Sequence, residues 1–255
     1  MITHFTKAIE WRIKRIKQFL KVRYLKLTNK TIEIEGVILP LGEHLSDNLV
    51  EALFGGGYEQ AELRTIMSKL DASDIVMEIG SGLGLVSSYC AKQIGSQHVF
   101  TYEANPLLEP IINRAYEMNG VSPSLGMCLL SDTEGDKSFF VEKDFWKSSM
   151  IRPSADAKEI KVSKRVLNEE IKRICPTFLI VDIEGGEYEL FQYIDLHTIK
   201  KIAIELHTIY LGQEKVNEIK EMLFEKGFQV DNRLSTTIKD YKEELFLERA
   251  GFTSI

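Results

Sequence analysis

The sequence predicts a doubly wound α/β fold with a mostly parallel sheet, preceded by an N-terminal extension that contains a helix and a hairpin. From residue 74 onward, short apolar runs alternate with segments of helical period, a pattern typical of βαβ units. A glycine-rich turn separates the first of these runs from the first helix. The chain has 255 residues, of which 44% are hydrophobic, so it can bury an ordinary core without disulfide bonds or structural metals.

The N-terminal extension, residues 1–55, is expected to hold a basic amphipathic helix and a short strand pair. Over 5–27, apolar residues recur at helical spacing among lysines and arginines. Residues 30–40 alternate and are broken by a glycine, as in a hairpin. Residues 46–70 have a helical period that three consecutive glycines interrupt, which indicates two helices joined by a turn.

The main domain, residues 56–255, is predicted from the same patterns. We expect strands at 75–79, 98–102, 125–130, 177–181, 201–206, 228–231 and 243–248. We expect helices at 83–94, 106–119, 187–195 and 214–226. The second helix has Asn105 as its N-cap, Pro106 at its first position and Gly120 at its end. Alternation in two further runs predicts a β insertion near 137–166.

Charge is distributed unevenly along the chain. Residues 1–30 carry nine Lys/Arg and one acid, a net charge of +8, whereas the rest of the chain carries −14. An acidic body argues against nucleic acid as a partner. We expect the basic helix to dock on the body, and the alternative is that residues 5–27 contact a membrane surface or a protein partner.

Cysteine spacing and hydropathy favour a cytoplasmic protein. The three cysteines are widely separated and form no C-x-x-C pair, which opposes both a zinc site and a disulfide framework. No uncharged apolar run approaches the length that a membrane-spanning helix needs, and the N-terminus lacks the apolar stretch of a signal peptide. We therefore expect a reduced, cytoplasmic chain, with peripheral attachment at the inner membrane face as the alternative role of the basic helix.

Three glycines between the first buried strand and its helix predict a ligand that lies against the backbone. Gly80, Gly82 and Gly84 leave no side chain to block that approach, and the following helix N-terminus points at the ligand. Glu78 is unusual inside an apolar strand, so it must either cap loop amides or face a cationic ligand. Leu85 stands where the dinucleotide fingerprint needs its third glycine, which opposes a nicotinamide-dependent oxidoreductase.

A second acid at a strand end indicates what the ligand contains. Glu103 ends the strand that follows the glycine-rich turn and its helix, where a carboxylate can accept both hydroxyls of a ribose. Together with the glycines, it indicates a nucleoside-containing ligand without a pyrophosphate. The competing interpretation is a tight βα turn with a surface glutamate.

These motifs resemble those of class I S-adenosylmethionine-dependent methyltransferases and, more narrowly, those of the FkbM family. Residues 78–84 match the family's E-x-G-x-G-x-G motif, and 102–106 match its second motif. The narrower resemblance rests on three segments, 57–59 (GYE), 130–132 (LSD) and 181–187 (VDIEGGE). It implies a Rossmann-like sheet of seven strands with an antiparallel last strand, and S-adenosylmethionine as the cofactor.

The resemblance also implies which residues hold the cofactor. The methionine moiety would lie against the glycine-rich turn and Glu78, and the ribose against Glu103. The adenine would be bordered by polar side chains after the second and third strands: Asn105, Ser131 and Asp132. Tyr58 and Glu59, which precede the sheet, are predicted to fold over the cofactor as a lid, and the alternative is that Tyr58 is an ordinary packing residue.

Candidate groups for proton removal lie at the carboxyl ends of the central strands. Methyl transfer to a hydroxyl needs a positioned acceptor and a carboxylate or imidazole that takes the proton. Asp182 ends one strand, and Glu205 and His207 share one face at the end of the next. We predict these three as the catalytic group, and the alternative is a structural pairing of Glu205 with His207. Because no dense Asp cluster is present, no metal is predicted, and the alternative is a divalent metal held by these three side chains.

Substrate contacts are predicted at Trp146, Glu184 and Glu187. Trp146 lies in the β insertion beside small hydroxyl residues, a mixture that suits the face of a sugar, although core packing of the tryptophan is equally compatible with the sequence. Glu184 and Glu187 follow Asp182 closely, so they either bind substrate hydroxyls or stabilise the start of a helix.

The sequence thus predicts an S-adenosylmethionine-dependent O-methyltransferase. Its substrate class, a sugar hydroxyl of a surface glycan or of a nucleotide-linked precursor, is implied by the resemblance alone. The alternatives are an O- or N-methyltransferase of another small metabolite and, from a different class, a non-catalytic module that binds a nucleoside cofactor.

Overall fold

The computed structural model describes residues 17, 19–42, 45–142 and 157–251. Within these ranges the helices are α1 (19–28), α2 (Asp47–Gly55), α3 (Gln60–Lys69), α4 (Leu85–Ile94), α5 (Glu109–Asn119), α6 (Leu167–Ile174), α7 (Glu187–Tyr193) and α8 (Thr208–Glu225). The strands are β1 (Thr31–Ile34), β2 (Val37–Pro40), β3 (Val76–Ile79), β4 (Val99–Glu103), β5 (Ser124–Met127), β6 (Leu129–Ser131), β7 (Gly135–Val141), β8 (Lys158–Val166), β9 (Phe178–Asp182), β10 (Lys201–Leu206), β11 (Phe228–Val230), β12 (Thr236–Ile238) and β13 (Lys242–Arg249). None of the described helices is both long enough and apolar enough to cross a membrane.

The main sheet has the predicted doubly wound, mostly parallel arrangement. Its strands follow the order β5-β4-β3-β9-β10-β13-β11. The first five are parallel to one another, and β13 runs antiparallel to both of its neighbours. The short β12 pairs with β13 outside this path. The predicted Rossmann-like sheet of seven strands with an antiparallel last strand is therefore confirmed.

Two apolar layers cover the sheet, because alternate residues of its strands are buried on opposite faces. On β9, Leu179 and Val181 belong to one layer, whereas Phe178 and Ile180 belong to the other. The first layer packs α6, α7 and α8 onto the sheet, and the second packs α1 to α5 and the β1-β2 hairpin. Strands buried on both faces are continuously apolar, which explains why their positions could be predicted from sequence.

The N-terminal extension packs directly on the second of these layers. Val22 of α1 is buried there together with Val37 and Leu39 of β2. The Asn119 side chain of α5 bonds both backbone groups of Ile38, at 2.9 Å from its N and 2.7 Å from its O. The predicted helix and hairpin are thus confirmed over 19–42, whereas the rest of the predicted helix, residues 5–16 and 18, lies outside the described residues.

The chain leaves the main sheet earlier than predicted after its third strand. The single strand predicted at 125–130 is wrong, because β5 and β6 are separate strands that belong to different sheets. β6 pairs in parallel with β8, and β8 pairs antiparallel with β7, so these three strands form a small second sheet. The predicted β insertion is present, but its outer part, 143–156, lies outside the described residues and includes Trp146.

The start of α5 also differs from the prediction. Asn105 does not cap a helix, because α5 begins at Glu109. Instead, Asn105 Oδ1 accepts a hydrogen bond from Leu107 N at 3.1 Å in the turn that precedes the helix. An asparagine side chain accepts the same kind of hydrogen bond at the start of a helix and in an isolated turn, so the sequence alone does not distinguish the two. Gly120 ends the helix at φ 63°, as predicted.

Two helices on the other face of the sheet were less visible in the sequence. α8 begins at Thr208 and not at 214, and Gly212, with φ 76° and ψ 155°, interrupts its helical geometry. The periodic pattern is therefore clear only after this glycine. α6 was not predicted, because its eight residues contain only three buried apolar positions, too few to establish a period: Leu167, Ile171 and Ile174.

Candidate active site

A cavity of about 460 Å³ opens at the carboxyl ends of the parallel strands. It lies beside β3, between β4 and β9, which is the point where the strand order reverses. Open α/β sheets bind their ligands at this point, and the volume is that of a small-molecule site. Its walls come from the segment before α3, from the ends of β3, β4, β9 and β10, from the small second sheet and from the start of β13.

The glycine-rich turn packs closely against other parts of the protein. Gly80 has φ 97°, and a Cβ there would lie 1.8 Å from Asp182 O. Gly82 has φ 53°, and a Cβ there would lie 2.6 Å from Tyr58 Oη and 2.7 Å from Glu59 Oε1. Any other residue would have neither a favourable backbone conformation nor space at these positions. The sequence assigned them to the approach of a ligand, and the structure shows that protein atoms also need the space.

Glu78 and Gly84 lie beneath the cavity and are not part of its lining. Glu78 is buried, and its Oε2 accepts hydrogen bonds from Ser81 Oγ at 3.2 Å and from the Thr101 hydroxyl. Burial raises the pKa of Glu78 to about 7, although these hydroxyl bonds oppose the rise. Gly84 caps α4, and a Cβ there would lie 3.1 Å from the Tyr116 ring. Glu78 thus holds the loop, through hydroxyls and not through amides.

Glu103 is fixed at the end of β4 by backbone donors on both sides. Its Oε2 accepts a hydrogen bond from Gly82 N at 3.1 Å, and its Oε1 accepts one from Asn105 N at 2.7 Å. Burial raises the pKa of Glu103 to about 7, and the backbone bonds oppose the rise. The carboxyl group lines the cavity and keeps lone pairs for a ligand. This geometry suits the predicted contact with two ribose hydroxyls.

The predicted adenine border lies only partly in the cavity wall. Ser131 lines the cavity, whereas Asp132 is exposed and accepts a hydrogen bond from Ser131 Oγ at 3.0 Å. Asn105 is buried, and its Nδ2 has no hydrogen-bond partner among the described residues. Buried donors are normally satisfied, but Asn105 is absent from the cavity lining, so its predicted contact with adenine stays a prediction.

Tyr58 and Glu59 lie over the glycine-rich turn and line the cavity. The Tyr58 hydroxyl accepts a hydrogen bond from Leu83 N at 3.1 Å and bonds the Glu59 carboxyl group. Glu59 has φ 47°, in the left-handed region that few non-glycine residues adopt. Burial raises its pKa well above the ordinary value. A strained residue at a cavity wall is a common feature of functional sites. The role of these two residues as a lid over the cofactor stays a prediction.

Three carboxyl groups lie side by side across neighbouring strands. Asp182 on β9 pairs with Glu205 on β10, and Glu205 pairs with Glu244 on β13. All three line the cavity. Burial and the Glu205 carboxylate raise the pKa of Asp182 well above its ordinary value. A carboxylate whose pKa is raised holds a proton more strongly than an exposed aspartate does, which suits a general base.

His207 lies behind this row, enclosed by carboxylates. Its Nδ1 is 2.6 Å from Glu187 Oε1, and its Nε2 is 3.0 Å from Glu205 Oε1 and 3.3 Å from Glu184 Oε2. Burial alone would lower its pKa, but the bonds to these carboxylates raise it far above the ordinary value. The ring is therefore an imidazolium at neutral pH.

These contacts oppose the predicted role of His207 in proton removal. A proton acceptor must reach the substrate and be unprotonated, whereas His207 is 2% exposed, charged and absent from the cavity lining. Its contacts fit a positioning role that fixes Glu205. Glu187 is also absent from the lining, and its Oε1 accepts hydrogen bonds from the backbone and ring of His207. Glu184 does line the cavity, as expected of a substrate contact.

Lys242 is a site residue that sequence reasoning missed. Its Nζ lies 2.7 Å from Glu205 Oε2 and 2.7 Å from Glu244 Oε1 at the cavity wall. Burial alone would lower the pKa of the Lys242 ammonium, but the two neighbouring carboxylates raise it above its ordinary value. Burial likewise opposes ionisation of Glu205, but the bonds from His207 and Lys242 lower the pKa of this carboxyl. No local pattern distinguishes Lys242 from a surface lysine, because only the pairing of β13 with β10 brings it to the site.

Asp182, Glu205 and His207 also have the spacing of metal ligands, with one candidate atom from each within 4.8 Å of the others. However, His207 Nε2 already lies against the carboxylates of Glu184 and Glu205, and the Lys242 ammonium already binds the Glu205 carboxylate. A divalent cation would have to displace or deprotonate both positive groups, which is costly in a partly buried site. The expectation that no metal binds here stays a prediction.

The sheet order and the acids at the strand ends are those of a Rossmann-like fold that binds a nucleoside-containing ligand. The chain belongs to the FkbM methyltransferase family, because the model of the methyltransferase FkbM domain matches residues 74–230. S-adenosylmethionine is accordingly its cofactor, and the cavity and the Glu103 carboxyl group in its wall fit such a group. A comparison with curated protein sequences gives no match.

Solved structures with a similar fold include several methyltransferases. The tRNA (uracil-54, C5)-methyltransferase of Pyrococcus abyssi, in complex with S-adenosyl-L-homocysteine, is 14% identical with a TM-score of 0.51, over 86% of this chain and 44% of that one. A methyltransferase from Pyrococcus furiosus is 11% identical with a TM-score of 0.47, over 92% of this chain and 98% of that one. At these identities, the likeness shows the fold alone.

Proposed function

We propose that this methyltransferase acts on oxygen and that its acceptor is a sugar hydroxyl of a surface glycan. The observation that carries the proposal is the position of Asp182, which lines the cofactor cavity with a pKa well above its ordinary value. Such a carboxylate takes a proton from a hydroxyl more readily than an exposed aspartate does. The FkbM resemblance supports the substrate class.

The charge of the cavity favours a neutral acceptor. Eight carboxyl side chains and three cationic ones line it, so a diphosphate beside the transfer point would meet like charge. Paired carboxylates are good acceptors for the several hydroxyls of a sugar. Of the two acceptor forms that the sequence suggested, the glycan therefore fits better than the nucleotide-linked precursor.

The chain's own residues divide the work of transfer. When bound, S-adenosylmethionine supplies an electrophilic methyl group. Asp182 accepts the proton of the attacking hydroxyl on its carboxylate, so that the oxygen gains nucleophilicity as the new bond forms. Glu205, held by His207 and Lys242 at 3.0 Å and 2.7 Å, provides a fixed acceptor for a neighbouring hydroxyl. Positioning of this kind supplies much of the rate in a displacement reaction.

The residues around the cofactor keep water out and fix its orientation. Glu103 holds the ribose through a carboxyl that the backbone immobilises. Tyr58 and Glu59 cover the glycine-rich turn. Excluding water strengthens the electrostatic contacts inside the cavity.

An amine acceptor is the second candidate, because the same acidic lining would bind an ammonium group. The two candidates differ in how rate depends on pH. An ammonium must lose its proton before attack, so N-methylation would keep rising with pH toward the pKa of the amine, whereas transfer to a hydroxyl would level off once Asp182 is ionised.

The test is a transfer assay with methyl-labelled S-adenosylmethionine and three acceptor sets: neutral oligosaccharides, nucleotide-linked sugars and small amines. We expect label in the neutral oligosaccharides, as methyl ethers resolved by mass spectrometry, and loss of this signal in Asp182→Asn. Labelling of amines alone would refute O-methylation. Tight binding of S-adenosylhomocysteine without transfer to any acceptor would favour a non-catalytic module.

A further inference from the structure

α1 has two apolar faces, and only one of them docks on the body. On the docked face, Val22 is 2% exposed and Leu25 is half-buried against the second apolar layer. The Lys26 ammonium fixes this face by binding Leu45 O at 2.7 Å and Asp47 Oδ1 at 2.6 Å. These contacts account for the docked helix expected from sequence, and they use no residue of the opposite face.

The opposite face carries a second apolar stripe that is open to solvent. Leu20, Tyr24 and Leu27 recur at intervals of four and three residues, so they lie on one side of the helix. Their side chains are 59%, 65% and 77% exposed. A helix that needs only to dock on a globular body has no use for a second stripe, because one apolar face suffices.

Cationic side chains border the open stripe on both sides. Lys17 and Lys21 lie on one flank of it, and Arg23, whose guanidinium stands 5.6 Å from the Phe19 ring centre, lies on the other. All three charged side chains are exposed. An apolar stripe bordered by lysine and arginine is the pattern of a helix that lies in a membrane interface. The sequence continues this pattern toward the N-terminus, since residues 1–30 carry a net charge of +8.

We propose that the open face of α1, defined by Leu20, Tyr24 and Leu27, binds the surface of a membrane that contains anionic lipids. The stripe inserts among the acyl chains at the interface, and the flanking cations bind the lipid headgroups. Complementarity of charge selects this partner, because the rest of the chain carries −14 and would be repelled by the same surface. The helix and not the body must therefore make the contact.

The fold places this surface close to the cavity. Lys26 of α1 binds Asp47 at the start of α2, and Ala52 and Gly56 at the other end of α2 line the cavity. A nine-residue helix is about 14 Å long. The proposal about α1 does not depend on the acceptor.

The experiment measures cosedimentation of the full chain with vesicles. Vesicles of phosphatidylcholine alone are compared with vesicles that also contain about one-third phosphatidylglycerol. We expect binding to the anionic vesicles at 50 mM salt, binding to the neutral vesicles weaker by about tenfold or more, and a strong loss at 0.5 M salt. These wild-type measurements need no variant to fold.

Two pairs of double variants locate the contact. Leu20→Ser with Leu27→Ser is expected to weaken binding about tenfold or more, whereas Phe224→Ser with Ile238→Ser, also exposed, should leave it unchanged. Lys17→Glu with Lys21→Glu should abolish binding to anionic vesicles. Its matched control reverses two exposed lysines elsewhere, Lys161→Glu with Lys172→Glu, and should bind like wild type.

Three results would overturn the proposal. One is equal binding, or none, to the two kinds of vesicle. Another is a stripe variant that binds like wild type. The third is a wild-type chain that is dimeric by light scattering and becomes monomeric in Leu20→Ser with Leu27→Ser, because a second copy would then cover the stripe.

Discussion

Replacing the buried Glu78 by glutamine should make the ligand-free protein less sensitive to pH. Glu78 lies under the glycine-rich turn, where burial raises its pKa from 4.5 to about 7. Folding therefore favours the protonated carboxyl, and the native state binds more protons than the unfolded state between these two values. The contribution of Glu78 to the free energy of unfolding is complete below pH 4.5 and is lost as the pH rises through 7.

The size of this loss follows from the two pKa values. One pKa unit corresponds to about 1.4 kcal/mol, so the loss from pH 4.5 to above pH 7 is about 3 kcal/mol. Glutamine keeps the shape and an acceptor for the Ser81 and Thr101 hydroxyls, but it does not ionise. The difference in free energy of unfolding between Glu78→Gln and wild type should shift in favour of the variant by about 2.5 kcal/mol between pH 5 and pH 8, which is most of this loss.

The assay is urea unfolding of the ligand-free protein at pH 5, 6, 7 and 8, followed by far-ultraviolet circular dichroism. Because each variant is compared with wild type at the same pH, other titrating groups cancel. Glu117→Gln is the matched control, since this side chain is 68% exposed and its replacement should give a nearly constant difference. A difference for Glu78→Gln that is equally flat across the four pH values would refute the reasoning.

Three further substitutions test the site itself. Asp182→Asn is expected to lower kcat by about 10²-fold or more with little change in S-adenosylhomocysteine binding by calorimetry; near-wild-type turnover would exclude Asp182 as the proton acceptor. Glu103→Ala should weaken that binding about tenfold or more, since it removes a charged partner of the ribose, and unchanged affinity would contradict the assignment. His207→Phe leaves Glu187 buried without its cation and should lower the free energy of unfolding by about 3–5 kcal/mol in urea titrations, whereas a purely catalytic role would leave it unchanged.

Much of the fold could be predicted because the relevant signals are local. The strand Lys201–Leu206 has the same bounds in the prediction and in the structure, since its apolar residues at 202–204 and 206 need burial on both faces wherever the strand lies. The errors occur where one local signal suits two structures. Asn105 stabilises a turn and a helix start through the same kind of side-chain hydrogen bond, and only the path of the chain after it decides between them.

The cofactor site was more predictable than the chemical site. Gly80, Gly82 and Glu103 are recognisable because a glycine-rich turn and an acid at the next strand end need only one βαβ unit to meet. The groups around Asp182 come from distant parts of the chain. Lys242 reaches Glu205 across 37 residues, and His207 reaches Glu187 across 20.

The sequence by itself determined the class of the fold, the glycine-rich turn at the cavity and the acids available at the strand ends. Period, glycine content and position within a strand are properties of neighbouring residues. Only the tertiary structure decided what each acid can do. Asp182 and Glu205 both end a parallel strand, and the sequence does not distinguish them. The pairing of β9, β10 and β13 places Lys242 and His207 against Glu205, and these two groups lower the pKa of Glu205. Burial and the Glu205 carboxylate raise the pKa of Asp182. Ionisation depends on distances between charges and on burial, and neither is set until distant segments pack together.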